Sequence, residues 1–129
     1  MLFRSQMGLD VQAGYEKAAA ASGHIAAIVP VGLAWNRAFK TGVADPNPYD
    51  GVSYGQMNLW THDSYHASAL GYYLEGLMLF GRLTGRDPMS LGTKETAAND
   101  MGFSAAQTSA LQKVAHDELV AQGLHFEAQ

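Results

Sequence analysis

Hydrophobic positions along this chain follow a helical rhythm in five places and form one short unbroken run. From Gly8 to Ser22, Val11, Tyr15 and Ala18 or Ala19 fall on one face, and the alanine run 18–21 has the highest helix propensity. Gly23 stands where a helix stop belongs. Ile25, Ala26, Ala27, Ile28 and Val29 then form a continuous apolar run between Gly23 and Pro30. That pattern predicts a strand buried on both faces, as in a parallel sheet. Residues 31–40 predict a second helix with Leu33, Trp35, Ala38 and Phe39 apolar. Helix, buried strand, helix predicts an α/β fold. No second strand stands out in the sequence, so either further strands lack a clear pattern, or the partners lie on polypeptide outside this chain, with self-association through the unpaired edge as a further route.

Residues 41–58 hold Gly42, Pro46, Pro48, Gly51 and Gly55 and predict a long loop. Loops beyond about 12 to 15 residues are usually functional or disordered. Residues 67–84 carry Leu70, Tyr73, Leu74, Leu77, Met78, Phe80 and Leu83 around most of a helical circumference, which predicts a buried helix. Its three glycines, Gly71, Gly76 and Gly81, each cost about 1 kcal/mol against alanine. Close packing against a neighbour would offset that. Gly85 ends the helix, and a short helix is predicted within 93–100. Ser104 with Gln107 three residues on is a capping box for a last helix over 105–122. Leu111, Val114, Ala115 and Leu119 should face inward there, and Gln112, Lys113 and Asp117 outward.

The chain has 129 residues, the size of one small domain, and is 47% hydrophobic, enough to bury a core. A net charge of −4 with few, scattered basic residues gives no footing for nucleic acid. There is no cysteine, hence no disulfide framework and no thiolate chemistry. No apolar run reaches the roughly 20 residues of a membrane span. The first residues lack the basic lead and apolar core of a signal peptide, and the compartment stays open. Residues 1–7 read as a non-native or disordered start outside the fold.

Three clusters could carry chemistry. Gly51-Val52-Ser53-Tyr54-Gly55 fits the nucleophile-elbow spacing G-x-S-x-G. The turn-forming stretch Asp45–Asp50 precedes it, where the elbow needs a strand, so a glycine-rich loop is expected. His62-Asp63-Ser64-Tyr65-His66 places two histidines four apart, which on a helix could hold zinc with the carboxylate as base. The usual motif carries glutamate and a further ligand, and none follows at ligand spacing; no metal or other cofactor is expected. The third is Asp63-x-x-His66. The carboxylate can accept from the imidazole Nδ1–H and leave Nε2 free to take a proton. Equally, Asp63 can cap the following helix with His66 in its first turn.

The stretch Asp63-Ser64-Tyr65-His66-Ala67-Ser68-Ala69-Leu70-Gly71-Tyr72-Tyr73-Leu74, running on to Leu83-Thr84-Gly85-Arg86-Asp87-Pro88, resembles the last conserved block of the SGNH (GDSL-type) hydrolases. Val29-Pro30-Val31-Gly32 with Ala34-Trp35 is similar to what precedes that block in one branch of the family. The resemblance extends over about residues 8–122 and is specific around 63–88. It implies a three-layer α/β/α sandwich (flavodoxin-like) and a serine esterase without cofactor, acting on a small-molecule, carbohydrate or lipid ester. It implies catalytic roles for Asp63, orienting, and His66, the base; by position, Trp60 and Tyr65 flank the pair and are candidates either for its substrate pocket or for packing. The family's Gly-Asp-Ser block is missing here. Asn99-Asp100 imitates its Gly-x-Asn-Asp block, but follows the Asp-His pair and has Ala97 in place of the glycine. Residues 8–129 therefore match the C-terminal half of such a domain: a base without its nucleophile, inactive alone. Two other classes remain open, a metal-dependent hydrolase using His62 and His66 and a non-enzymatic helical interaction module.

Overall fold

A computed structural model describes residues 2–128, with side chains from Arg4 onward. Five α-helices run in order: α1 Leu2–Ser22, α2 Val31–Lys40, α3 Ala69–Thr84, α4 Thr96–Asp100 and α5 Ala105–Ala121, with a 3-10 turn at Pro88–Leu91 before α4. Helix α1 takes in residues 2–7, which read from sequence as a start outside the fold; Met1 lies outside the described residues.

The core is built between helices. Leu74, Leu77 and Met78 of α3 meet Leu111, Val114, Ala115 and Leu119 of α5, and Ala34 and Ala38 of α2 close the third side. Met57 and Leu59 plug the end of this wedge. Full burial of a leucine or methionine side chain contributes roughly 1.5–3 kcal/mol, so this cluster is the main source of stability. Two of the α3 glycines are explained by the packing. A Cβ on Gly71 would lie 2.5 Å from the carbonyl oxygen of Leu59 and 2.7 Å from the Trp35 ring, and one on Gly81 would strike Leu119. Gly76 faces open space and has no such role.

Polar ties lie inside the same wedge. Glu118, buried on α5, accepts from Arg37 Nε of α2 at 2.7 Å. Gln112, expected to face outward, is buried; its Nε2 donates to the Gly92 carbonyl at 2.8 Å and to Tyr73 Oη at 3.3 Å. The capping box of α5 forms as its sequence predicts, Ser104 Oγ accepting from Gln107 N and Gln107 Oε1 accepting from Ser104 N.

The α/β expectation is overturned. Among the described residues there is no sheet, only two isolated bridges, Ala44 with Met57 and Trp60 with Ala67. The run 24–29 has no regular secondary structure, nothing pairs with it in a ladder, and residues 24–27 are exposed. An uninterrupted apolar run reports burial potential. A sheet also requires a neighbouring strand to satisfy the ladder, and no described segment forms a bridge with this run. The domain is all-helical, and neither a three-layer sandwich nor a buried strand is present among the described residues.

Two further expectations about burial change. The predicted face of α1 is open, with Val11 50% and Tyr15 63% exposed. Helix α3 is buried on one side only: Tyr72, Leu79 and Leu83 face out. Helix α1 packs chiefly against α2, while α3 packs against α2 and α5.

Candidate functional site

The chain leaves the core at Leu59 and returns at Ser68, and everything between is one closed loop. Thr61 N donates to the His66 carbonyl at 2.8 Å and Ser68 N to the Leu59 carbonyl at 2.8 Å, fastening the neck where Trp60 bridges Ala67. Ser68 is the N-cap of α3; its Oγ donates to the Asn58 carbonyl and accepts from Gly71 N. Close approach at Gly71 allows Leu59 to sit against the first turn of α3. The loop is thus tied to the first turn of a packed helix.

Within it, one carboxylate organises three groups. Asp63 Oδ1 accepts from Tyr65 N at 2.9 Å and from His66 N at 3.0 Å. Its Oδ2 lies 2.5 Å from His66 Nδ1. The His66 N–H, the His66 imidazole and the Tyr65 N–H hold the Asp63 carboxyl well below the usual carboxylate range. The geometry needs Ser64 at φ 60°, the one non-glycine residue with positive φ among those described. A left-handed L-residue costs roughly 1–2 kcal/mol. Strain of this kind collects at sites whose surroundings hold it in place.

The structure therefore brings Asp63 and His66 together through the imidazole Nδ1. Asp63 caps no helix, because α3 begins at Ala69 with Ser68 as its cap. With Nδ1 engaged by the carboxylate, Nε2 is the free position of a ring whose side chain is 72% exposed. His62 lies outside the pair. It is exposed and its Nδ1 stands 3.2 Å from the neighbouring Thr61 Oγ. Residues 62–66 are turn and bend, so the helical spacing that would aim both histidines at one metal is not formed. Among the described residues, no group of three or more His, Cys, Asp or Glu is placed to hold a metal ion.

His66 stands at the edge of an open groove of about 900 Å³. Tyr65, Trp60 and Ala67 line it beside His66, together with Met7, Val11 and Tyr15 of α1, Trp35 of α2 and Leu79 of α3. Trp60 packs edge-on against Trp35, ring centroids 4.6 Å apart, and its buried Nε1–H has no partner. The guanidinium of Arg4 lies 4.4 Å from the Trp60 ring and donates to Tyr49 Oη at 2.6 Å. Trp60 and Tyr65 do line the cleft beside the pair. Sequence reasoning missed Arg4 and the α1 wall, because both come from far along the chain with no local pattern linking them to 60–66.

The G-x-S-x-G stretch is a loop turn. Gln56 N donates to the Ser53 carbonyl, Gly51 and Gly55 have φ 88° and 78°, and Ser53 N donates to the buried Asp45 at 2.7 Å. Asp45, also bonded to Asn47 N, is held below its ordinary range chiefly by those two N–H groups and anchors the 41–58 loop from inside. No strand leads into Ser53 and no helix follows it, so it lacks the frame of an elbow. Asn99 and Asp100 are exposed at the end of α4.

A second Asp–His pair is present that sequence reasoning did not find. His116 Nδ1 lies 2.9 Å from Asp87 Oδ1, with the His116 ring against Phe126 at 5.2 Å between centroids. Asp87 also caps the 3-10 turn, accepting from Met89 N.

No helix among the described residues is long and apolar enough to cross a membrane. Comparison with family models, with curated proteins and with solved structures gives no match, so the site stands on its own geometry.

Proposed function

We propose that Asp63 and His66 are the orienting carboxylate and general base of a serine ester hydrolase, with the serine supplied by polypeptide outside these 129 residues. The observation carrying this reading is the pinned carboxylate. Three donors converge on Asp63, and the pair leaves Nε2 of an exposed ring at the edge of a cleft. A carboxylate on Nδ1 fixes the tautomer in which Nε2 is the acceptor and stabilises the imidazolium that follows.

The chemistry follows from that tautomer. Nε2 takes the proton of a serine hydroxyl as its oxygen forms a bond to the ester carbonyl carbon. The imidazolium then gives that proton to the departing alkoxide as the carbon–oxygen bond breaks, leaving an acyl-serine. Water, deprotonated by the same nitrogen, bonds to the acyl carbon, and the imidazolium returns that proton to the serine oxygen as its bond to the acyl group breaks and the acid leaves. Donors for the carbonyl oxyanion come with the serine in this reading, so the chain alone lacks the largest catalytic contributions. The substrate is a small-molecule, carbohydrate or lipid ester entering from the groove side past Trp60 and Tyr65.

The test is hydrolysis of p-nitrophenyl acetate by this chain alone and by a longer polypeptide that contains it. The chain alone should be inactive, and the longer one active and silenced by His66→Ala. Activity that survives His66→Ala removes the base role. Turnover by the chain alone, abolished by Ser53→Ala, would return the nucleophile to the 51–55 turn.

A further inference from the structure

Arg4 is a fixed cation in the groove that holds His66. It lies in the first turn of α1, whose start is tied to α2: Asn36 Nδ2 donates to the carbonyl of the next residue, Ser5, at 3.1 Å. Its guanidinium lies 4.4 Å from the Trp60 ring centroid and 5.2 Å from that of Tyr49, and Nη2 donates to Tyr49 Oη at 2.6 Å. These contacts set the position of the charge without neutralising it. Among the described residues, no carboxylate pairs with Arg4, although Glu75 lines the same groove.

Trp60 joins this cation to the base. Its ring packs on Arg4, and its backbone bridges Ala67, the residue after His66. From Arg4 the groove continues along one face of α1, past Met7, Val11 and Tyr15 to Ser22. At about 1.5 Å per residue that face is roughly 27 Å long. Met7, Val11 and Tyr15 are exposed on it, and Tyr72 and Leu79 of α3 add exposed apolar surface to the same groove. The groove is therefore long and mostly apolar, with an unpaired guanidinium at the end where the base stands.

We propose that Arg4 is a specificity residue: its guanidinium binds an oxyanion of the substrate, a carboxylate or a phosphate, while the substrate's apolar chain lies along α1. The ligand class is a single-chain anionic amphiphile with its charge at the Trp60 end. Charge complementarity selects this occupant and its direction. A guanidinium offers forked N–H donors that match an oxyanion. A chain threaded the other way would set its charge against an apolar wall, where it finds no partner. That the oxyanion lies beside an ester bond rests on the hydrolase reading of Asp63 and His66; anion selection by Arg4 does not.

Calorimetric titration of this chain with decanoate, decyl phosphate and decanol, each below its aggregation concentration, tests it. None of these probes needs a serine or turnover. At least one anion should bind about tenfold or more tighter than decanol, and the tighter of the two names the oxyanion. Arg4→Gln keeps an amide donor and removes the charge. It should bring the anions to within about twofold of decanol and leave decanol unchanged. Val11→Asp, on the exposed α1 wall, should weaken all three probes. Circular dichroism should show unchanged helix content in both variants. Added salt should shrink the anion advantage of the parent chain and spare decanol, a check that needs no variant. No binding by any probe, equal binding of anions and decanol, or an anion advantage that survives Arg4→Gln or ignores salt overturns the proposal. Such a failure leaves the hydrolase reading standing, because no bond is broken in these titrations. Hydrolysis by the longer polypeptide that survives His66→Ala removes that reading and leaves anion selection by Arg4 in place.

Discussion

Asp63–His66 and Asp87–His116 use the same two side chains and the same ring nitrogen, at 2.5 and 2.9 Å. The first pair is three residues apart on one loop; the second is 29 apart and joins the turn after α3 to α5. His66 keeps 72% of its side-chain surface, His116 only 29%. His66 lines a cleft, whereas the His116 ring packs on Phe126, next to Glu127, whose N donates to the Gly85 carbonyl. One hydrogen bond can therefore serve two ends. Where the loop is closed and the ring stands free, it prepares a base. Where both partners are half-buried between elements, it is a clasp that holds the tail and the 3-10 turn against α5. What separates them is the surroundings of the second nitrogen, not the bond.

The sharpest way to break this comparison is to remove each histidine and measure both activity and stability. In the longer polypeptide, His66→Ala should lower ester hydrolysis by about 10²-fold to 10⁴-fold, the usual contribution of a general base, with little change in unfolding midpoint. His116→Ala should do the reverse. Activity should hold within about threefold while urea unfolding shows a loss of about 1 kcal/mol, because Asp87 loses a partner and Phe126 its platform. Equal loss of activity in both would erase the distinction.

Next in size is the footing of the first pair. Gly71→Ala drives a methyl into the Leu59 carbonyl, a backbone atom that cannot rotate away. A destabilisation of about 3 kcal/mol is expected by chemical denaturation, at the upper end of overpacking effects. Gly76→Ala, into open space on the same helix, should instead stabilise by about 0.5–1 kcal/mol. A smaller effect is expected at Ser64. Glycine there relieves the left-handed backbone, so Ser64→Gly should gain about 0.5–1 kcal/mol, and Ser64→Val should lose stability.

The smallest effect is the pH dependence carried by Asp63. Its carboxyl is held below the ordinary value of 3.8 by the His66 and Tyr65 N–H groups and the imidazole. A depressed acid stabilises the fold above its unfolded value and loses that contribution as pH falls through the folded one. Asp63→Asn should therefore differ from the parent above about pH 4 and converge with it in stronger acid, as read from unfolding curves across that range. Solvent exposure keeps the difference small. A gap that widens on acidification would contradict the hydrogen-bond pattern.

How far the chain could be read depended on the distance over which each feature is decided. Asp63 and His66 were legible because three residues on a tight loop can hardly avoid one another. Helix α2 begins and ends where Pro30 and the polar turn after Lys40 place it, and the α5 capping box is written in Ser104 and Gln107. Asp87–His116 was not legible, because no local pattern ties positions 29 apart. Gln112 read as a surface residue until Gly92 and Tyr73 gave its amide partners inside. The 24–29 run misled for the same reason: its composition suits a strand, but a strand is a relation between two segments.

By itself, then, the sequence determined where most of the helices lie, the capping box of α5 and the Asp63–His66 spacing, since each follows from contacts within about four residues along the chain. Tertiary structure decided which faces of α1 and α3 stay open and that the 24–29 run has no ladder. It also decided that one Asp–His pair opens onto a cleft while the other is closed under an aromatic ring. These depend on which distant segments arrive to desolvate a group or satisfy its hydrogen bonds, and local periodicity carries no record of that.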